Sequence, residues 1–187
     1  LTNLQSAYMA GRYAEMVAAK DTHPYWQYVA INDKRTRETH RKLHGRVYAA
    51  DDAVWGSLYP PLDYRCRCRV RPLSRERGEK QVLPSPKLET ITVDIGENRA
   101  TGEQRYAQRT GFRLPDDTFV APNAGFNANQ GQTFLQRTAR LAVQKAQNVP
   151  PELAKVAVGE MMKNEKFRNA LSLAELAWVA ELLGLTS

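Results

Sequence analysis

The apolar positions at the start of the chain recur at helical spacing. Leu4, Ala7, Tyr8, Gly11, Ala14, Val17 and Ala18 share one face of a helix that Thr2 or Asn3 can cap and that runs to about Ala19. Gly11 in mid-helix costs stability, so it is expected to let another element approach closely. His23-Pro24 ends this segment, and the aromatic and β-branched run from Tyr25 to Ile31 predicts a strand. A short basic helix follows from about Arg35 to Leu43. Gly45 stops it, and Arg41, Lys42 and His44 complement its carbonyl end. Asp51-Asp52 reads as a cap on a single turn through Trp55.

From Arg65 to Arg71 the period changes to two. Cys66, Cys68 and Val70 point one way, and Arg65, Arg67, Arg69 and Arg71 the other. After Arg71, Ser74 to Lys87 is charged, contains Pro84 and Pro86, and reads as a linker. Thr90–Asp94 predicts a strand, and the Gly-, Asn- and Pro-rich stretch to Gly131 predicts loops with short strands, including Thr118–Val120. The last third turns helical: about Thr133 to Asn148, then a helix opened by Pro151, then one opened by the capping box Ser172-Leu-Ala-Glu175 and closed by Gly184. Two stripes sit at core spacing there: Leu153, Val156, Ala157 and Met161, and Leu173, Leu176, Ala180 and Leu183. These patterns predict an α+β fold. A small mixed domain spans 1–73, a linker and loop-rich region 74–131, and a helical subdomain 132–187.

Charge sharpens this picture. The chain of 187 residues carries a net charge of +7. Between Tyr25 and Arg71 ten bases face five acids, so +5 of that excess lies in a quarter of the chain. An acidic partner is implied, nucleic acid first, with Arg35, Arg37, Arg41, Lys42, Arg65, Arg67, Arg69 and Arg71 as the contacting residues. Two cysteines do not make a disulfide scaffold, and neighbours on one strand face rarely reach disulfide geometry. No run of apolar residues is long enough to span a membrane, and no charged leader with an apolar core opens the sequence. The start at Leu1 leaves room for residues before it.

The candidate chemistry is metal ligation. His40 and His44 lie four apart on the basic helix, and with Cys66 and Cys68 they offer four ligands of the kinds zinc prefers. Arg41 stands where the zinc-protease motif needs glutamate, so no general base is supplied. The other reading, small buried hydrophobes beside surface histidines, also fits these residue types.

Tyr25-Trp-Gln-Tyr28, Asn32-Asp-Lys-Arg-Thr-Arg-Glu-Thr-His40, Leu43-His-Gly45, Asp51-Asp52, Trp55, Pro60-Pro61 and Cys66-Arg-Cys68 together resemble the phage Mu protein F-like family. These are minor head, or head morphogenesis, proteins. Gly125-Phe-Asn-Ala-Asn-Gln-Gly131 is similar to a later stretch of that family, with Gln130 where proline usually stands. Many members have a C-x-x-C at the positions of Arg37 and His40 and an H-x-x-C-R-C run, which look like a zinc knuckle. The resemblance leaves His40, Cys66 and Cys68 as ligands here, with Asp33, Asp63 or His44 as a fourth. It implies a non-enzymatic virion protein assembled in the host cytoplasm, with portal, capsid or packaged DNA as partners and no small-molecule substrate. A nuclease or toxin-associated domain using His40 and His44, and a plain nucleic-acid-binding module, are the competing classes.

Overall fold

The computed structural model describes residues 2–185 and is α+β. It divides into two compact units, residues 1–131 and 132–187. Residues 74–131 thus fall in one unit with the N-terminal region rather than forming a separate one.

The first unit is built around β1 (Tyr25–Val29), the middle strand of an antiparallel sheet in the order β2-β1-β3. β2 is Val47–Ala49 and β3 is Arg69–Leu73, with Tyr28 opposite Val70 and Gln27 opposite both Val47 and Arg71. Trp26 and Tyr28 are buried in an aromatic core with Tyr48, Trp55, Tyr59 and Phe112. Gln27 is buried as well, and its side-chain amide donates to the Gly45 carbonyl at 3.0 Å while its oxygen accepts from Arg71. A central strand buried on both faces tolerates this amide because both ends are satisfied.

α1 (Thr2–Ala18) packs on the core through a different face from the one its small residues suggest. Met9 and Met16 are buried, whereas Leu4 and Tyr8 are exposed. The Tyr13 ring decides the rotation: it stands edge-on to Trp26 at 5.6 Å and to Tyr59 at 5.2 Å. Gly11 therefore points into open space, and no element approaches it. α2 (Glu38–Leu43) begins later than the basic pattern predicts, so Arg35 precedes it in a turn and Arg37 is its extended N-cap residue. α3 (Val54–Leu58) has the expected carboxylate at its start, where Asp52 Oδ1 accepts from the Val54 amide at 2.8 Å.

The stretch read as a linker opens with α4 (Arg75–Glu79). Gly78 lies flat on the Tyr25 ring, and a Cβ there would come within 2.2 Å of it. A second sheet, in the order β4-β5-β6, comprises β4 (Glu89–Glu97), β5 (Gln104–Arg113) and β6 (Phe119–Val120). Periodicity alone does not reveal β5, which is mostly polar and exposed until Gly111-Phe112 enters the core.

The second unit contains α5 (Gln130–Gln147) from residue 132 on, α6 (Pro151–Met162), α7 (Glu165–Ala170) and α8 (Leu173–Leu183). The capping box is present in both directions, and Gly184 adopts a left-handed C-cap. The core stripe of α6 is Ala154 and Val158, one residue on from the expected one, and Leu153, Val156, Ala157 and Met161 are exposed. Both stripes satisfy the helical period. Ala154 is the narrower residue and admits a neighbouring helix closely, which turns the larger stripe outward. On α8, Val179 is the buried residue and Leu173 is 87% exposed.

Gly11→Ala should raise stability by roughly 1 kcal/mol, because the new methyl group meets nothing and the helix loses a flexible residue. Gly78→Ala should lower it by about 1–3 kcal/mol through overlap with Tyr25. Urea unfolding midpoints check both; equal effects would contradict the packing described.

Candidate metal centre and its arginine shell

His40 faces inward from α2 together with Leu43, three residues on. The Tyr64-Arg65 turn brings the cysteines to it. Arg65 takes a left-handed conformation at φ 57°, and the Cys66 amide donates to the Asp63 carbonyl at 3.2 Å. From Cys66 onward, burial alternates as the sequence predicts, although regular strand pairing starts only at Arg69. Cys66 and Cys68 are free thiols, buried, and each Sγ lies 3.7 Å from His40 Nδ1. All three donor atoms fall within 4.8 Å of one another. Ligands at about 2.3 Å (sulfur) and about 2.0 Å (nitrogen) around a tetrahedral ion sit roughly 3.5–3.8 Å apart, so the spacing fits zinc.

The two thiols divide one negative charge unequally. The Cys66 thiol is lowered to about 4, first by the hydrogen bond from Cys68, against the cost of burial, and then by His40. The Cys68 thiol is raised, first because it donates to Cys66 and then by burial. Burial, followed by the charges of Cys68 and Cys66, also pushes the Tyr28 hydroxyl well up. Two buried thiols beside an imidazole are donors of the kinds soft metals prefer.

The other expected ligand, His44, lies outside this group. It is the C-cap residue of α2, and its Nδ1 accepts from the Ala30 amide at 3.1 Å. Asp33 and Asp63 are committed elsewhere too. The Arg67 guanidinium grips Asp33 with two bonds of 2.8 and 2.7 Å. That bond, ahead of those from the Arg35 amide and Thr36, holds the Asp33 carboxyl well below the usual carboxylate range. Asp63 takes Arg37 Nε at 2.8 Å and the Asn123 side-chain amide at 3.1 Å.

Several of the expected nucleic-acid contacts are thereby engaged within the fold. Lys42 bonds Asp116 and Thr118, both at 2.7 Å, and its ammonium is the first cause that lowers the Asp116 carboxyl to about 2. Arg41 reaches the Asp33 and Thr36 carbonyls, and Arg71 donates to Gln27. Arg35 is 81% exposed and only 3.8 Å from Asp33. The side chains of Arg65 and Arg69 are exposed. Asn123 and Asn129 are anchors that sequence reasoning misses. Asn129 bonds the Trp55 carbonyl at 2.9 Å across 74 positions, and no local pattern encodes that pairing.

The sequence profile of the family described as Phage Mu protein F like protein matches residues 1–71, which enclose all three donors. The chain belongs to the phage Mu protein F-like family. The putative capsid assembly protein F of Escherichia phage Mu is 35% identical over 97% of this Mu F-like chain. The Mu-like prophage FluMu F protein of Haemophilus influenzae is also 35% identical, over 98%. An uncharacterized protein of Methanocaldococcus jannaschii is 44% identical over 46 residues. The Mu F-like chain spans only 41% and 44% of the length of the two phage relatives. No solved structure matches it.

Because the folded Asp33 carboxyl lies below its unfolded value near 3.8, its contribution is complete above that value and fades as pH falls through and below it. Arg67→Gln should therefore shrink the stability lost between about pH 5 and pH 2. An acid-unfolding profile identical to that of the parent chain would contradict the pairing.

Proposed function

We propose that this chain is a head-assembly module of a Mu-like phage, one that docks rather than reacts and acts in the virion or during its assembly in the host cytoplasm. The observation that carries this reading is the alignment, over nearly the whole chain, with a relative named as a putative capsid assembly protein. The histidines support docking over nuclease chemistry. His40 is 4% exposed and His44 already accepts a backbone bond, so neither stands ready as a general acid or base. Zinc held by His40, Cys66 and Cys68 would pin the arginine-bearing turn to α2. Its role is to fix shape, with portal or capsid proteins as partners and packaged DNA as a further contact.

Native mass spectrometry should find one zinc ion per chain, and a chelator should lower the melting temperature; a mass equal to the bare chain overturns the metal assignment. A phage carrying Cys68→Ser should yield fewer complete heads by electron microscopy of lysates, and a normal head yield would count against the assembly role of this site. If Arg35, Arg65 and Arg69 are the phosphate contacts, DNA affinity should fall with a log–log salt slope of about −2.7. Undetectable binding would leave protein partners alone.

A further inference from the structure

The donor set stops at three. Each nearby histidine or carboxylate that could complete a tetrahedral site already has partners it would have to give up. His44 Nδ1 is turned to the Ala30 amide, both Asp33 oxygens lie in the Arg67 fork, and Asp63 is divided between Arg37 and Asn123. Among the described residues, no further histidine, cysteine or carboxylate joins His40, Cys66 and Cys68 in one cluster. A zinc ion with three protein ligands keeps its fourth position for something from outside.

The space beside the donors says what that ligand is. A cavity of about 10 Å³, room for roughly one water-sized sphere, is lined by His40, Cys66 and Cys68 and by Arg35, Arg37, Arg65 and Arg67. Asp63 and Asp33 balance Arg37 and Arg67. Arg35 and Arg65 remain. Arg35 is held only at 3.8 Å from an already occupied carboxylate, and the Arg65 side chain is exposed. Two thiolates cancel the charge of a divalent ion, so the excess at the mouth is positive and favours an anion. Arg35 and Arg65 are exposed residues that line this cavity beside the buried donors.

We propose that the metal centre of His40, Cys66 and Cys68 has an open fourth position that binds an exogenous anionic ligand, drawn in by Arg35 and Arg65. The ligand chemistry is an anionic oxygen donor, either a carboxylate on a partner protein or a free inorganic anion. This rests on the metal reading above, and the test separates the two.

The full chain is loaded with cobalt(II) in place of zinc and titrated with acetate, as a stand-in for a protein carboxylate, and separately with phosphate. Thiolate-to-cobalt charge-transfer absorption should appear on loading. Its absence overturns both the metal reading and this one. The visible d–d bands should then shift and saturate with added anion. Charge transfer without any anion-dependent shift overturns the open position alone. Saturation at lower concentration with acetate points to a partner carboxylate, and with phosphate to a free anion. Arg35→Gln with Arg65→Asn, the latter chosen because asparagine accepts the left-handed backbone, should keep the charge-transfer band and weaken anion binding about tenfold. Unchanged anion affinity in that variant overturns the role of the arginines.

Discussion

A buried imidazole held between two thiols organises the first unit. His40 comes from a six-residue helix, and the cysteines come from a segment that is barely strand. Neither element is long enough to be stable alone. Their meeting at 3.7 Å joins α2 to the edge of the β2-β1-β3 sheet and closes the turn between them. The charge shared by Cys66 and Cys68 sits against Tyr28 in the aromatic core, where an uncompensated ion would be costly. A cation held by the three donors would offset it.

The arginines divide into two groups by the same logic. Arg37, Arg67 and Arg71 are construction: the first two end on carboxylates that fix the turn, Arg67 and Asp33 forming the tightest fork, and Arg71 ends on the Gln27 amide across the β1–β3 pair. Arg35, Arg65 and Arg69 look outward. A net charge of +7 therefore overstates the basic surface on offer, because part of it is neutralised at short range inside the fold. Arg35 and Arg65 line the cavity beside His40, Cys66 and Cys68, so the proposed docking surface and the proposed ligand set share one patch of this unit.

The period of two from Cys66 to Val70, the capping box at Ser172 and the glycine stop at Gly184 were all legible in the chain, because each rests on contacts between near neighbours or on backbone geometry. The family resemblance was legible for the same reason, since its residues cluster in one stretch. What faced inward on α1 and α6 was not. Both helices offer two stripes with the same period, and the choice fell to partners distant in sequence: Trp26 and Tyr59 for Tyr13 on α1, and close helix packing over Ala154 on α6.

The amino-acid order by itself determined which residues could ligate, which could cap and where the charge would accumulate. Only the tertiary structure decided that His44 turns to a backbone amide, that Asp33 and Asp63 are taken by guanidinium groups, and that, among the described residues, His40, Cys66 and Cys68 are the candidate donors that gather. The physical reason is competition. A side chain's chemistry is local, but which of several willing partners it meets depends on atoms brought together from 14 to 60 positions away.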